Sequence, residues 1–231
     1  MVRLILDMLY AVSHAIVKIL GRLLLRLRVI GAEQIPKTGP VLFAPNHVSY
    51  LDIPLLGAMI DRRLHFMGKS SLFRGRFVGW LYRKLNGFPI KKGARSRAGL
   101  MEAVHRLKQG HCVVMYPEGG RSINGSLQEP MPGIGMIVAM SGAKVIPVYL
   151  AGTDKVLPVG AWMIRIHPVT VFIGEPIDFT EQIQKENGKD LYLQISRTVM
   201  EQIVKLEVLA TGKSVQEIHR VPDAALKGKN N

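Results

Sequence analysis

Val41-Leu-Phe-Ala-Pro-Asn-His47-Val-Ser-Tyr-Leu-Asp52-Ile-Pro54-Leu-Leu-Gly-Ala-Met-Ile60 holds three elements in twenty residues. Val41–Ala44 is short and wholly apolar, which is how a strand buried on both faces reads. Ile53–Ile60 reads as a helix, because a proline at position 54 is tolerated only in a first helical turn. The polar residues between them form the loop at the end of the strand. A strand, a loop and a helix in that order are the opening of an α/β unit.

The same alternation continues along the chain. Leu64–Met67, Phe88–Ile90, Cys112–Tyr116, Lys144–Leu150 and the pair Met163–His167 and Thr170–Ile173 have strand content. Ser71–Leu85 is helical in pattern and closes at Asn86-Gly87, and Ser96–Lys108 closes at Gly110. Gly133–Ser141 and Asp190–Leu209, the latter stopped by Gly212, are further helices. The expected fold class is therefore α/β: a mixed, mainly parallel sheet flanked by helices, with the late strand pair antiparallel. The expected organisation is an N-terminal helical segment over 1–35, one α/β domain over 36–212 and a polar tail over 213–231.

Charge and length bound the function. The chain has 231 residues, enough for one core, with 31 Lys and Arg against 17 Asp and Glu, a formal charge of +14. An anionic partner follows: a membrane surface, a nucleic acid or a phosphorylated substrate. A single cysteine, Cys112, rules out an intrachain disulfide, and its apolar strand gives it a core role in preference to a nucleophilic one. The histidines lack metal-ligand spacing, so no metal is expected.

The N-terminus is a helix with a narrow polar stripe. Arg3, Asp7, His14, Lys18, Arg22 and Arg26 recur mostly at four-residue steps between leucines, isoleucines and valines, and Gly21 and Gly31 offer places to divide it. A spanning helix needs about 20 predominantly apolar residues. This one is punctured too often and suits the membrane interface. The plainer alternative is a helix packed on the chain's own core.

Within the opening unit, His47 and Asp52 have the chemistry of a general base and the carboxylate that orients it. On one regular helix, five residues turn through about 500°, which would separate them. They meet only if His47 lies in the loop and Asp52 at the helix start; otherwise Asp52 or Ser49 is simply a cap. Pro117-Glu118-Gly119-Gly120-Arg121-Ser122 follows another short apolar run and so falls at the same sheet edge. Its glycines can aim backbone N–H groups at an anion, and Arg121 adds a fork of donors. The same glycines would equally suit an ordinary turn.

These blocks together resemble the glycerolipid acyltransferase family, specifically the 1-acyl-sn-glycerol-3-phosphate acyltransferases. The resemblance is carried by Asn46-His47-x4-Asp52 and Pro117-Glu118-Gly119-x-Arg121-Ser122. Between and after them, Gly87-Phe-Pro-Ile-Lys-Lys92 resembles the family's second block and Val145-Ile-Pro-Val148 its fourth, across Val41 to Asp178. It implies catalysis by His47 and Asp52. It implies substrate binding by Asn46, Lys92, Glu118, Gly119, Gly120, Arg121 and Ser122, with Arg121 and Lys92 on the acceptor's phosphate and Glu118 ordering the loop or pairing with Arg121.

The implied reaction takes an acyl chain from acyl-CoA or acyl-carrier protein, as donor substrate and without a resident cofactor, to lysophosphatidate. The product would be phosphatidate. The N-terminal helix and the basic aromatic segment give the expected location as monotopic, on the cytoplasmic face of the cell membrane, against an anionic membrane surface and with no nucleic acid partner. Two departures bear on the acceptor: Gly120 stands where the family usually has Thr or Ser, and Lys92 where it usually has Arg. They leave another lysophospholipid or an acylated amino-acid lipid as an alternative. The basic run Lys69–Arg97, interleaved with Phe73, Phe77, Trp80, Tyr82 and Phe88, suits lipid headgroups and also a solvated face. A non-catalytic basic protein binding membrane or nucleic acid is the alternative from another class.

Overall fold

The computed structural model describes residues 2–90 and 96–219. In chain order the elements are α1 (Val2–Leu25), β1 (Arg28–Ile30), β2 (Val41–Pro45), α2 (Asp52–Met59), β3 (Leu64–Lys69) and α3 (Arg76–Lys84). They continue with β4 (Gly87–Ile90), α4 (Ser96–Lys108), β5 (Cys112–Val114), α5 (Gly133–Ser141), β6 (Lys144–Ala151) and α6 (Thr153–Val156). The last are β7 (Thr170–Ile173), α7 (Thr180–Lys185), α8 (Lys189–Thr211) and α9 (Val215–His219).

The strands form one sheet in the order β1-β7-β6-β2-β5-β3-β4. Every neighbouring pair is parallel except β6 and β7, so β7 and β1 run against the other five. Side chains alternate between two helical layers as a pleat requires. Leu42, Ala44, Val113 and Val145 face α4, α5 and α8, packing against Val104, Ile134, Ile137, Ile195 and Val199. Val41, Phe43, Val114 and Ile146 face the other way, onto Leu55 and Leu56 of α2, Ile60 just after it and Leu25 at the end of α1. Burial on both faces explains why the central strands read as unbroken apolar runs. The mixed, mainly parallel α/β class is what the pattern predicts.

Four readings change. Met163–His167 is a loop, because both edges of β7 are already taken, by β6 and β1, and no ladder position remains for it. Ser71–Leu85 is broken into a 3₁₀ turn (Ser70–Phe73) and α3, and the two fold together so closely that a Cβ on Gly79 would strike the Phe73 carbonyl. Gly21 does not divide α1. The chain beyond the helix returns over it, with Leu27 N–H on the Gly21 carbonyl at 3.1 Å and the Leu27 side chain filling the space a Cβ would need. Finally, β1 lies inside the segment 1–35, so the sheet begins before residue 36; three residues between Leu27 and Gly31 carry too little pattern to reveal an edge strand. Of the polar tail, 215–219 is helical, and 220–231 lie outside the described residues.

Candidate active site

β2 and β5 are adjacent and parallel, with Val41 opposite Cys112 and Phe43 opposite Val114. Their carboxyl ends therefore release the His47 loop and the Glu118 loop side by side, at the sheet edge where open α/β folds bind ligands.

His47 sits in the loop and Asp52 at the first position of α2, with Pro54 in the first turn. Asp52 is not a side-chain cap; Leu51 stands at the cap position. The Asp52 side chain folds back instead. Its Oδ2 accepts His47 Nδ1–H at 2.8 Å and the backbone N–H groups of Val48 and Ser49 at 2.9 Å each. Three donors on one oxygen fix both the carboxylate and the ring. Asp52 is fully buried, while the His47 side chain keeps 14% of its surface. With Nδ1–H committed to Asp52, Nε2 is the basic nitrogen.

The Glu118 loop holds His47 by its backbone. Glu118 Oε1 accepts His47 N–H at 3.0 Å, and Ser122 N–H donates to the His47 carbonyl at 2.7 Å. Glu118 Oε2 accepts Gln128 N–H at 3.1 Å, so both carboxylate oxygens are used on backbone and the expected alternative pairing with Arg121 gives way to loop ordering. Burial, with smaller contributions from the Asp52 and Glu207 carboxylates, pushes Glu118 up to about 7 against the pull of its two N–H donors. Ser122 is buried, and its hydroxyl donates to Asn124 Oδ1 at 2.9 Å.

Arg121 lies over the Tyr50 ring, its guanidinium carbon 3.5 Å from the centroid. Its Nη1 is buried and, among the described residues, has no hydrogen-bond partner. A buried cationic donor left open suits an incoming anion. Gly119 needs its glycine: φ is +69°, and a Cβ there would strike Met131 Sδ. Gly120 faces open space.

Asn46 is held by the neighbouring strand. It is buried, with its Oδ1 accepting Leu150 N–H at 2.7 Å and its Nδ2 donating to the Leu150 carbonyl at 3.4 Å. These contacts to β6 fasten the root of the His47 loop. Lys92 falls outside the described residues. In the basic run, Phe73 and Phe88 are core residues and Trp80 is exposed. Cys112 is buried, which raises its thiol pKa and suits a core role.

His65 and His111 stack with centroids 4.4 Å apart, and His65 Nδ1 accepts from Arg106 at 2.7 Å. Burial, then Arg106, lowers His65 to about 4, so it stays neutral there. Among the described residues no three His, Cys, Asp or Glu side chains come together as metal ligands, and no helix is long and apolar enough to cross a membrane.

Two aromatic residues escaped the sequence reading. Tyr116 stacks on His47, centroids 3.8 Å apart and planes at 18°, so the imidazole is fixed by a ring face as well as by Asp52. Burial, with Asp52 adding to it, holds the Tyr116 phenol far above its ordinary pKa. Tyr50 forms the floor under Arg121. Their only sequence signal is position: one precedes Pro117-Glu118 and the other lies between His47 and Asp52. A cleft of about 460 Å³ opens beside these loops, bordered by Val48, Ser122, Asn124, Lys155, Arg165 and Ile166.

The arrangement can take a proton from a hydroxyl at His47 Nε2 while an anionic group sits at Arg121. The chain is 32% identical over 156 residues to the chloroplastic 1-acyl-sn-glycerol-3-phosphate acyltransferase LPAT1 of Arabidopsis thaliana, covering 66% of this chain and 44% of that protein. It thus spans less than half of that relative's length. It is 24% identical over 190 residues to the 1-acyl-sn-glycerol-3-phosphate acyltransferase of Bacillus subtilis, covering 79% of this chain and 91% of that one. The crystal structure of the 1-acyl-sn-glycerophosphate acyltransferase PlsC of Thermotoga maritima superposes with a TM-score of 0.67 at 27% identity, over 84% of this chain and 79% of that one. Residues 26–151 match the family described as Acyltransferase, more than half of the sequence, and the chain belongs to that family.

Proposed function

We propose that this protein transfers an acyl chain from an acyl thioester, acyl-CoA or acyl-carrier protein, to the free hydroxyl of 1-acyl-glycerol-3-phosphate. The observation that carries the reading is the 2.8 Å contact between His47 Nδ1 and Asp52 Oδ2, in a loop whose backbone is bonded to Glu118 and Ser122. His47 Nε2 takes the acceptor's hydroxyl proton as that oxygen attacks the thioester carbonyl. The tetrahedral adduct then expels the thiolate, the C–S bond breaks, and the imidazolium returns its proton to sulfur. The acyl group ends as an ester and the donor as a free thiol, with no covalent enzyme intermediate.

Asp52 holds the tautomer and offsets the positive charge on the ring. Tyr116 keeps the ring plane. The open Nη1 of Arg121 receives the phosphate, with Lys92 as a second cation by resemblance. The basic, apolar helix α1 lies on the cytoplasmic leaflet, where acceptor and product reside. Among the described residues of α1, Val12, Ile16, Ile19 and Leu23 are half or more exposed, as a lipid-facing flank requires. A second reading, another lysolipid as acceptor, is favoured by the open space at Gly120, which leaves room for a different headgroup.

The test supplies purified protein with acyl thioesters and a panel of lysolipids in detergent and identifies the products by mass. Phosphatidate formed faster than any other product supports the first reading. A different diacyl product supports the second, and thioester loss without any acylated lipid refutes both.

A further inference from the structure

Residues 157–169 run from α6 to β7 without regular structure and hold out an apolar tip. Trp162, Met163, Ile164 and Ile166 are 88, 58, 63 and 79% exposed. So many large apolar side chains together in a water-facing loop mark a contact surface. The loop is fixed at both ends. Ala161 N–H donates to the Pro158 carbonyl at 3.0 Å, and Arg165 N–H to the Val156 carbonyl at 2.8 Å. Val169 is fully buried and bonded to Leu25 and Arg28. An anchored backbone therefore presents the tip outward.

Position, charge and continuity say what it meets. The root of the loop is tied to the catalytic loop, because Ser49 Oγ–H donates to the Leu157 carbonyl at 2.9 Å, and Arg165 and Ile166 border the cleft together with Val48 and Ser122. Lys155, Arg165 and His167 flank the tip, with Asp154 as the acid beside them, paired to Lys155 at 3.0 Å. A tryptophan and an arginine among aliphatic residues are the side chains that settle at the headgroup and acyl boundary. At its far end Val169 N–H donates to the carbonyl of Leu25, the last residue of α1, where Leu20, Leu23 and Leu24 are also exposed. The apolar tip and the apolar end of α1 thus belong to one hydrogen-bonded junction.

We propose that Trp162–Ile166 inserts into the surface of an anionic bilayer and seats the mouth of the cleft against it, so that a lysolipid can present its glycerol to His47 while its acyl chain stays in the leaflet. This rests on reading the His47 loop beside the cleft as a lipid acyltransferase site, and its test reads binding separately from turnover.

Trp80→Phe leaves Trp162 as the sole tryptophan of two. The full chain is mixed with phosphatidylcholine vesicles containing about one-third phosphatidylglycerol, with or without bromine on the lipid acyl chains. On binding, Trp162 emission moves to shorter wavelength and is quenched by the brominated lipid. The double variant Trp162→Ser, Ile164→Ser lowers vesicle partitioning at least about tenfold and keeps wild-type turnover on detergent-dispersed acceptor. If Trp80→Phe does not fold, Ile164→Cys carrying an environment-sensitive dye replaces it, since Cys112 is the only other cysteine and is buried.

Vesicle binding with the reporter unmoved and unquenched overturns the loop assignment and leaves the reaction intact. Partitioning of the double variant equal to wild type also overturns it. A quenched reporter in a protein that acylates no lysolipid upholds the loop and overturns the reaction.

Discussion

Exchanging Asp52 for asparagine removes one charge and almost no volume, which isolates its part in proton transfer. Asp52 Oδ2 serves three donors, and the two backbone N–H groups of Val48 and Ser49 require an oxygen at that position. The amide oxygen of asparagine therefore takes the place of Oδ2 and keeps the His47 tautomer. The NH₂ goes to the position of Oδ1, which is buried without a hydrogen-bond partner. Leaving that donor unsatisfied costs about 1–3 kcal/mol of stability, a fall in Tm of roughly 2–4 °C per kcal/mol for a chain of this size.

The catalytic loss is of a different kind. When His47 accepts a proton, its charge lies about 4 Å from the carboxylate, worth about 4 kcal/mol at an effective dielectric near 20. A neutral amide returns about 1 kcal/mol through its hydrogen bond. The difference of about 3 kcal/mol is roughly two orders of magnitude in kcat. Thiol release from a saturating acyl thioester, with saturating lysophosphatidate, measures it, and circular dichroism confirms the fold. A folded variant that turns over within about threefold of wild type would refute the pairing of base and orienter.

Three further outcomes follow from the same site. Arg121→Lys keeps the charge but loses the fork and its seat on Tyr50, so KM for the phosphorylated acceptor should rise about tenfold with donor KM unchanged; initial rates at varied acceptor measure it, and a donor effect of equal size would move the phosphate elsewhere. Between pH 4.5 and about 7, Glu118 is protonated when folded and ionised when unfolded, so the unfolded state binds fewer protons and stability falls as pH rises through that window. The Tm of wild type relative to Glu118→Gln should decline across that range and level off above it; a constant difference would contradict the buried carboxyl. Gly119→Ala meets both a left-handed φ and Met131 and should lower Tm, whereas Gly120→Ala enters open space and should leave Tm nearly unchanged; equal shifts would show that the loop is placed differently.

The sequence by itself determined the class of fold, because buried parallel strands must read as unbroken apolar runs and helices between them must close at glycines such as Gly110 and Gly212. It also pointed to His47 in a loop and Asp52 near a helix start, since Pro54 must lie in a first turn, but left open whether Asp52 was an orienter or a cap. Tertiary structure decided what long-range contacts decide. Nothing local in the sequence ties Asn46 to Leu150 of β6, yet that contact anchors the His47 loop. Tyr116 looks like the end of a strand until the adjacency of β2 and β5 stacks it on His47. Met163–His167 has strand content, but both flanks of β7, the strand it would pair with, are taken by β6 and β1. A local pattern records what each residue prefers, and only the packed sheet settles which partners are left for it.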